Sequence, residues 1–152
     1  MASITAKLVK ELRDKTSVGM MDAKKALVAT DGDMEKAVDF LREKGIAKAE
    51  KKSGNVAANG LAHITVDGNV AAITELNSET DFVATNDRFI NLVNTITDLI
   101  AANKPADLDA AMALKNDKGQ SINDLIVEQT QVTSEKTTLR RFTVLEKPDG
   151  DV

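Results

Sequence analysis

Leu61-Ala62-His63-Ile64-Thr65-Val66, then Asp67-Gly68, then the return run Val70-Ala71-Ala72-Ile73-Thr74-Glu75-Leu76, is the stretch that decides the fold. Ala62, Ile64 and Val66 alternate with His63 and Thr65 at the period of a strand, and Asp67-Gly68 supplies the positive φ angles of a tight hairpin turn. Two strands alone are marginal in water, so helices must cover one face of the pair. The covering helix is read at Asp87 to Ala102, where Phe89, Val93, Ile96 and Ile100 fall on one stripe that Leu92 and Leu99 widen. Leu108, Ala111, Met112 and Leu114 predict a short helix after Pro105. Ile122, Leu125, Ile126 and Gln129 predict another, with Ser121 as its N-cap. Thr137 to Leu145 is β-branched and apolar enough for a third strand, stopped by Pro148-Asp149-Gly150.

Upstream of the hairpin the period is helical. Ile4, Leu8, Val9 and Leu12 form one stripe, Met20 or Met21 with Ala26 and Leu27 a second, and Met34, Ala37, Val38 and Leu41 a third, punctuated by Gly19, Gly32 and Gly45. Asp33 suits the N-cap of the third helix, and Gly45 the left-handed position beyond its end, with Ala47 to Lys52 adding a further turn or two. Ser53-Gly54-Asn55 reads as a hinge. The expected fold class is therefore α+β: a three-helix bundle over 1–53, a small three-stranded antiparallel sheet packed with helices over 54–147, and a tail over 148–152. The sheet edge has nothing evident to cover it. Either it pairs with another chain or the polypeptide is the front portion of a longer one.

Composition narrows the classes. The 152 residues are 42% hydrophobic and 29% charged, with two prolines and no cysteine, which excludes disorder, disulfide scaffolds, thiol catalysis and thiolate metal sites. The longest apolar run, Ala110 to Leu114, is five residues, whereas a membrane span needs about 20. No cationic head and long apolar stretch follow Met1, so a cytoplasmic protein is expected, with no membrane partner. Met1 to Ser53 carries 12 Lys and Arg against 9 Asp and Glu, net +3; Gly54 to Val152 carries 8 against 15, net −7. The basic half interleaves its charges with acids and has one aromatic, Phe40, so it reads as a solvated face, with no nucleic-acid partner expected.

Little catalytic chemistry is available. His63 is the sole histidine and reads as a partly exposed strand residue, and the eight glycines form neither a dinucleotide fingerprint nor a phosphate loop. No metal site and no cofactor are expected. Glu75, Glu79 and Asp81 could form a general acid/base pair or a cation site, but their spacing is unspecific and a solvated turn is the preferred reading. Phe82 stands out because Phe40, Phe89 and Phe142 each have a stripe to belong to and Phe82 has none. On a connector it either folds back onto the core or is offered to a partner. Met20 and Met21, being adjacent, cannot both be buried on one helical stripe. One of them belongs at a surface, where a flexible thioether suits a protein contact.

Two longer motifs carry a resemblance. Glu11-Leu12-Arg13-Asp14-Lys15-Thr16-Ser17-Val18-Gly19-Met20-Met21-Asp22-Ala23-Lys24-Lys25-Ala26-Leu27 and Glu75-Leu76-Asn77-Ser78-Glu79-Thr80-Asp81-Phe82-Val83-Ala84-Thr85-Asn86 resemble bacterial translation elongation factor Ts. Gly54-Asn55-Val56-Ala57-Ala58 with Gly60, and Leu139-Arg140-Arg141-Phe142, extend the likeness from Ser3 to about Lys147. Ser17, Ala23 and the run before Leu139 depart from the family pattern. The resemblance implies a guanine nucleotide exchange factor that binds elongation factor Tu, in its GDP-bound and nucleotide-free forms, and is no enzyme in the covalent sense. It implies that segment 1–53 is a bundle of the ubiquitin-associated type. It also implies that Thr80, Asp81, Phe82 and Val83 insert near the magnesium of the partner's nucleotide-binding domain. By position, Arg13, Met20, Met21 and Lys24 are then further partner contacts. The family core has a second half that follows the third strand, and a chain lacking it could dock on the GTPase without efficient exchange.

Overall fold

A computed structural model describes residues 2–149; Gly150 and most of the expected tail 148–152 lie outside them. Three helices come first: α1 (Ala6–Thr16), α2 (Met20–Ala29) and α3 (Met34–Lys52). Their apolar stripes meet in one cluster around Leu12, Val18, Ala26, Leu27, Ala37 and Leu41. Thr5 caps α1, its hydroxyl accepting from the Leu8 amide, and Asp33 caps α3 as expected, its carboxylate accepting from the Lys36 amide at 3.0 Å. The buried stripe of α2 is Ala23, Ala26 and Leu27; neither methionine joins it, since both Met20 and Met21 are exposed.

Gly45 corrects the sequence reading. It does not end the third helix, because α3 runs on to Lys52 and Gly45 is buried in its middle. A Cβ there would lie 3.3 Å from Val127 Cγ1 and 3.5 Å from Gln131 Cβ, so the missing side chain lets α3 close on a later helix. The Arg42–Asp124 ion pair (3.6 Å) and the Lys48 ammonium donating to the Gln131 carbonyl (3.3 Å) flank that contact. A glycine inside a helix costs about 1 kcal/mol relative to alanine, a cost that close helix packing offsets.

The second half is the three-stranded antiparallel sheet read from the sequence, in the order β1 (Asn59–Asp67), β2 (Val70–Ser78), β3 (Thr138–Glu146). The turn joining β1 to β2 is Gly68-Asn69, since Asp67 still pairs with Val70, and only Gly68 has positive φ. Helices α4 (Asp81–Ala84), α5 (Asp87–Asn103), α6 (Leu108–Met112) and α7 (Ile122–Thr133) fill the crossover between β2 and β3. Phe89, Val93, Ile96 and Ile100 are all buried, and they form one core with Ala72, Leu76, Ile122 and Leu139. Ser121 and Asp124 make a capping box at the start of α7.

Helices do cover one face of the sheet, but it is the face bearing Leu61, His63 and Thr65, not the more apolar stripe of β1. The central strand decides this. Ala72, Thr74 and Leu76 are fully buried, and register pairs them with Thr65, His63 and Leu61. Thr65 donates to Asp98 Oδ1 (2.7 Å) and the Thr74 and Thr97 hydroxyls bond to each other, which fastens α5 across that face. Ile64, Val66, Ile73 and Leu145 consequently point to solvent. Ile64→Thr should therefore change the free energy of unfolding by less than about 0.5 kcal/mol. Leu76→Ala should cost about 2–5 kcal/mol, with both variants measured against the unsubstituted chain by urea titration.

Candidate functional site

At the end of β2 the chain makes one helical turn. Thr80 has extended geometry and caps α4, its hydroxyl accepting from the Val83 amide at 3.4 Å. The amides of Ala84, Thr85 and Asn86 donate to the carbonyls of Thr80, Asp81 and Val83, and Thr85 Oγ1 donates to the Asp81 carbonyl at 2.9 Å. Asn86 then caps α5 by accepting from the Arg88 amide at 2.9 Å. Ala84 is buried and Val83 packs against the core, which anchors one side of the turn. Asp81 and Phe82 occupy the other side; Asp81 is exposed and Phe82 is 84% exposed. Of the two readings of Phe82, the structure selects the outward one.

The cap is completed from far along the chain. In a capping box an acid three residues after the cap accepts from the cap's own amide, but here that position is Val83. Glu135 takes the role instead: its carboxylate accepts from the Thr80 amide at 2.9 Å and from the Thr80 hydroxyl at 2.7 Å. Glu79 is held reciprocally. Its Oε1 accepts from the Lys136 amide at 2.7 Å and from Asn55 Nδ2 at 2.8 Å, while its carbonyl accepts from Asn59 Nδ2 at 3.0 Å. The Lys136 backbone amide and the Asn55 side chain, with Lys52 and the Lys136 ammonium adding attraction, outweigh burial and hold the Glu79 carboxyl below the ordinary glutamate range. A carboxylate favoured in the folded state stabilises it above the unfolded pKa, and that contribution is lost as pH falls through the lower folded value. Acid unfolding monitored by circular dichroism should thus lose part of its steepness in Glu79→Gln below the normal glutamate range, with the two curves parallel at neutral pH.

The three carboxylates singled out in the sequence are not gathered into one site. Glu75 lies on the open face of the sheet beside Arg140 (3.5 Å) and Arg141 (3.4 Å), both reaching it because the ladder is irregular between Glu75 and Leu76. Glu79 faces Lys136 and Asn55, and Asp81 faces outward. Among the described residues no three acids or histidines are placed to hold a metal ion.

The second set of sequence candidates sits on the bundle. Arg13, in the last turn of α1, pairs with Asp14 at 3.6 Å; Met20 (46% exposed), Met21 (65% exposed) and Lys24 line the outer side of α2. Val28, one helical turn beyond Lys24, is also exposed and extends that apolar strip, a residue the sequence reading did not single out. Among the described residues no hydrogen bond or ion pair joins this set to Thr80–Val83. Sequence reading also missed Glu135, Asn55 and Lys136. The one available signal was negative: Thr80 lacks an acid at its third following position, so its amide needed a partner from elsewhere.

A family model described as "Elongation factor TS" matches residues 79–152. The elongation factor Ts of Levilactobacillus brevis is 72% identical over 151 residues, covering 99% of this chain and 51% of the relative. Those of Pediococcus pentosaceus and Lacticaseibacillus casei are 68% and 64% identical, over 99% of this chain and 51% and 52% of their own length. The chain thus spans about half the length of the curated relatives it matches.

Proposed function

Because this chain belongs to the elongation factor Ts family and corresponds to the N-terminal part of its members, we propose that it acts in translation elongation in the cytoplasm by binding elongation factor Tu and promoting GDP release. The observation that carries this reading is Phe82, a large apolar side chain 84% exposed on a turn braced from below, with the exposed carboxylate of Asp81 beside it. Thr80, Asp81, Phe82 and Val83 form the inserting motif. Arg13, Met20, Met21 and Lys24 form a second contact. Segments 1–53, a bundle of ubiquitin-associated type, and 54–147, the sheet with its helices, act as two docking units on the GTPase.

The mechanism is a coupling between two ligands of one receptor. A factor that weakens GDP binding by some ratio must itself be weakened by GDP in the same ratio, so it binds the nucleotide-free GTPase more tightly than the GDP form. Burial of Phe82 in the partner supplies about 1.5–3 kcal/mol, one to two decades of displaced affinity. A carboxylate at Asp81, brought near the partner's magnesium, competes with the groups that order the metal's water shell. No covalent step is involved.

Stopped-flow release of a fluorescent GDP analogue from elongation factor Tu, with this chain at rising concentration, tests the proposal. Acceleration that saturates is the expected result. Binding seen by calorimetry without acceleration would reduce the role to docking on the GTPase domain, and absence of both would remove the reading.

A further inference from the structure

Resting on that exchange reading and deepening it, we infer that Glu135 is a positioning residue for nucleotide exchange, one half of a reciprocal carboxylate clamp that fixes the direction in which Phe82 points. The clamp lies where the sheet stops. The last pair of the β2–β3 ladder is Asn77 opposite Thr138. The same antiparallel register carried outward sets Glu79 opposite Lys136 and Thr80 opposite Glu135. Main-chain pairing does not continue there, because β2 turns into α4 and β3 is entered from the end of α7. Side-chain carboxylates bridge instead, each acid accepting from the main-chain amide of the residue that follows the other acid. Glu79 accepts from Lys136 at 2.7 Å, and Glu135 accepts from Thr80 at 2.9 Å.

Two features make this a device for aiming rather than general cement. The first is its position: Glu135 also accepts from the Thr80 hydroxyl at 2.7 Å, and that hydroxyl is the cap on which the one-turn helix bearing Phe82 begins. A four-residue helix is far too short to be stable on its own, so its direction is set by what holds its first residue. The second is convergence. Asn55 Nδ2 reaches Glu79, and the Lys136 ammonium donates to the Ser53 carbonyl at 2.7 Å, so the segment leaving α3 is tied into the same knot. Glu135 is itself placed by the left-handed turn at Ser134 that ends α7, and its amide donates to Thr133 Oγ1 at 3.2 Å. A side chain held in its bound orientation before encounter avoids the ordering cost that a mobile one would incur on binding.

The test uses the whole chain with Glu135→Ala and Glu135→Gln, and Phe82→Ala as the control for the exchange reading. Native hydrogen exchange should show the amides of Ala84, Thr85 and Asn86 opening at least about tenfold faster in Glu135→Ala, with the amides of α5 unchanged, because a hydrogen bond to a charged acceptor is lost locally. In stopped-flow GDP release the saturating rate should fall about tenfold while the half-saturating concentration moves less than about threefold, since the contact surface on the bundle is intact. Glu135→Gln, which keeps one acceptor, should fall between wild type and Glu135→Ala in both readouts. Loss of protection spread evenly over the chain would make Glu135 a stability residue and overturn the inference. An unchanged saturating rate in Glu135→Ala, with Phe82→Ala impaired, would overturn the clamp while leaving the exchange reading standing. No effect of Phe82→Ala would overturn the clamp together with the turn's role in exchange, whatever the chain's own acceleration of GDP release.

Discussion

Phe82→Ala is expected to slow chain-stimulated GDP release about ten- to a hundredfold at equal protein concentration while leaving the folded chain as stable as before. The first half of the expectation comes from area: an aromatic side chain buried only in the complex contributes about 1.5–3 kcal/mol to it, and each 1.4 kcal/mol is a factor of ten. The second comes from exposure. At 84% exposure the ring contributes almost nothing to the fold, so the unfolding free energy should move by less than about 0.5 kcal/mol. That separation matters because a substitution that merely loosens a protein also lowers its activity. Asp81→Ala, also exposed, should behave in the same way with a different signature: its defect should shrink when magnesium is chelated, if its carboxylate works through the metal's water shell. Equal release rates for wild type and Phe82→Ala would contradict the assignment of the turn. A parallel fall in thermal midpoint would show that the ring supports the fold after all.

Gly60→Ala should produce the largest loss of stability among single methyl additions to this chain. Gly60, the second residue of β1, lies opposite Asn77 with φ at +154°, and a Cβ built there would press on the Leu76 carbonyl oxygen and stand 2.8 Å from Asn77 Cα. Both are backbone atoms of the central strand, which no rotamer change can move aside. Relief requires β1 to withdraw from β2 just where Asn59 holds the Glu79 carbonyl beneath the exposed turn. Backbone strain of about 1–3 kcal/mol and overpacking of about the same size combine to about 3 kcal/mol or more. For a chain of this length that corresponds to a fall of about 6–12 °C in thermal midpoint by circular dichroism. Gly54→Ala is the control, because Gly54 has no heavy atom within 4 Å of the added methyl and no positive φ. It should shift the midpoint by no more than about 1–2 °C. A shift as small for Gly60→Ala would show that the strand edge yields freely.

Much of the fold was written in local pattern. Period-two alternation located β1 and β2. The spacing of Phe89, Val93, Ile96 and Ile100 found α5 and its buried side, and Asp33 and Ser121 marked two helix starts. These features depend on a residue and its near neighbours, which is what a sequence displays. Local pattern failed where the deciding partner lies far along the chain. Gly45 has the composition of a helix end, but α7, more than 75 residues later, makes it the middle of a long helix. Alternation along β1 left open which of its faces the helices cover; β1 is an edge strand, and the buried residues of β2 decide it.

The candidate site divides in the same way. The sequence by itself determined the α+β class, the order of the elements apart from the one-turn α4, the isolation of Phe82 from every stripe, and, by likeness, the family. It could not determine which way Phe82 faces. That was decided by tertiary structure, because a one-turn helix has too few internal bonds to orient itself. Its direction comes from Ala84 seated in the core and from Glu135, which reaches Thr80 across 55 residues of chain. Such a contact leaves no periodic trace in sequence: hydrogen bonding constrains two positions in space and says nothing about the residues between them.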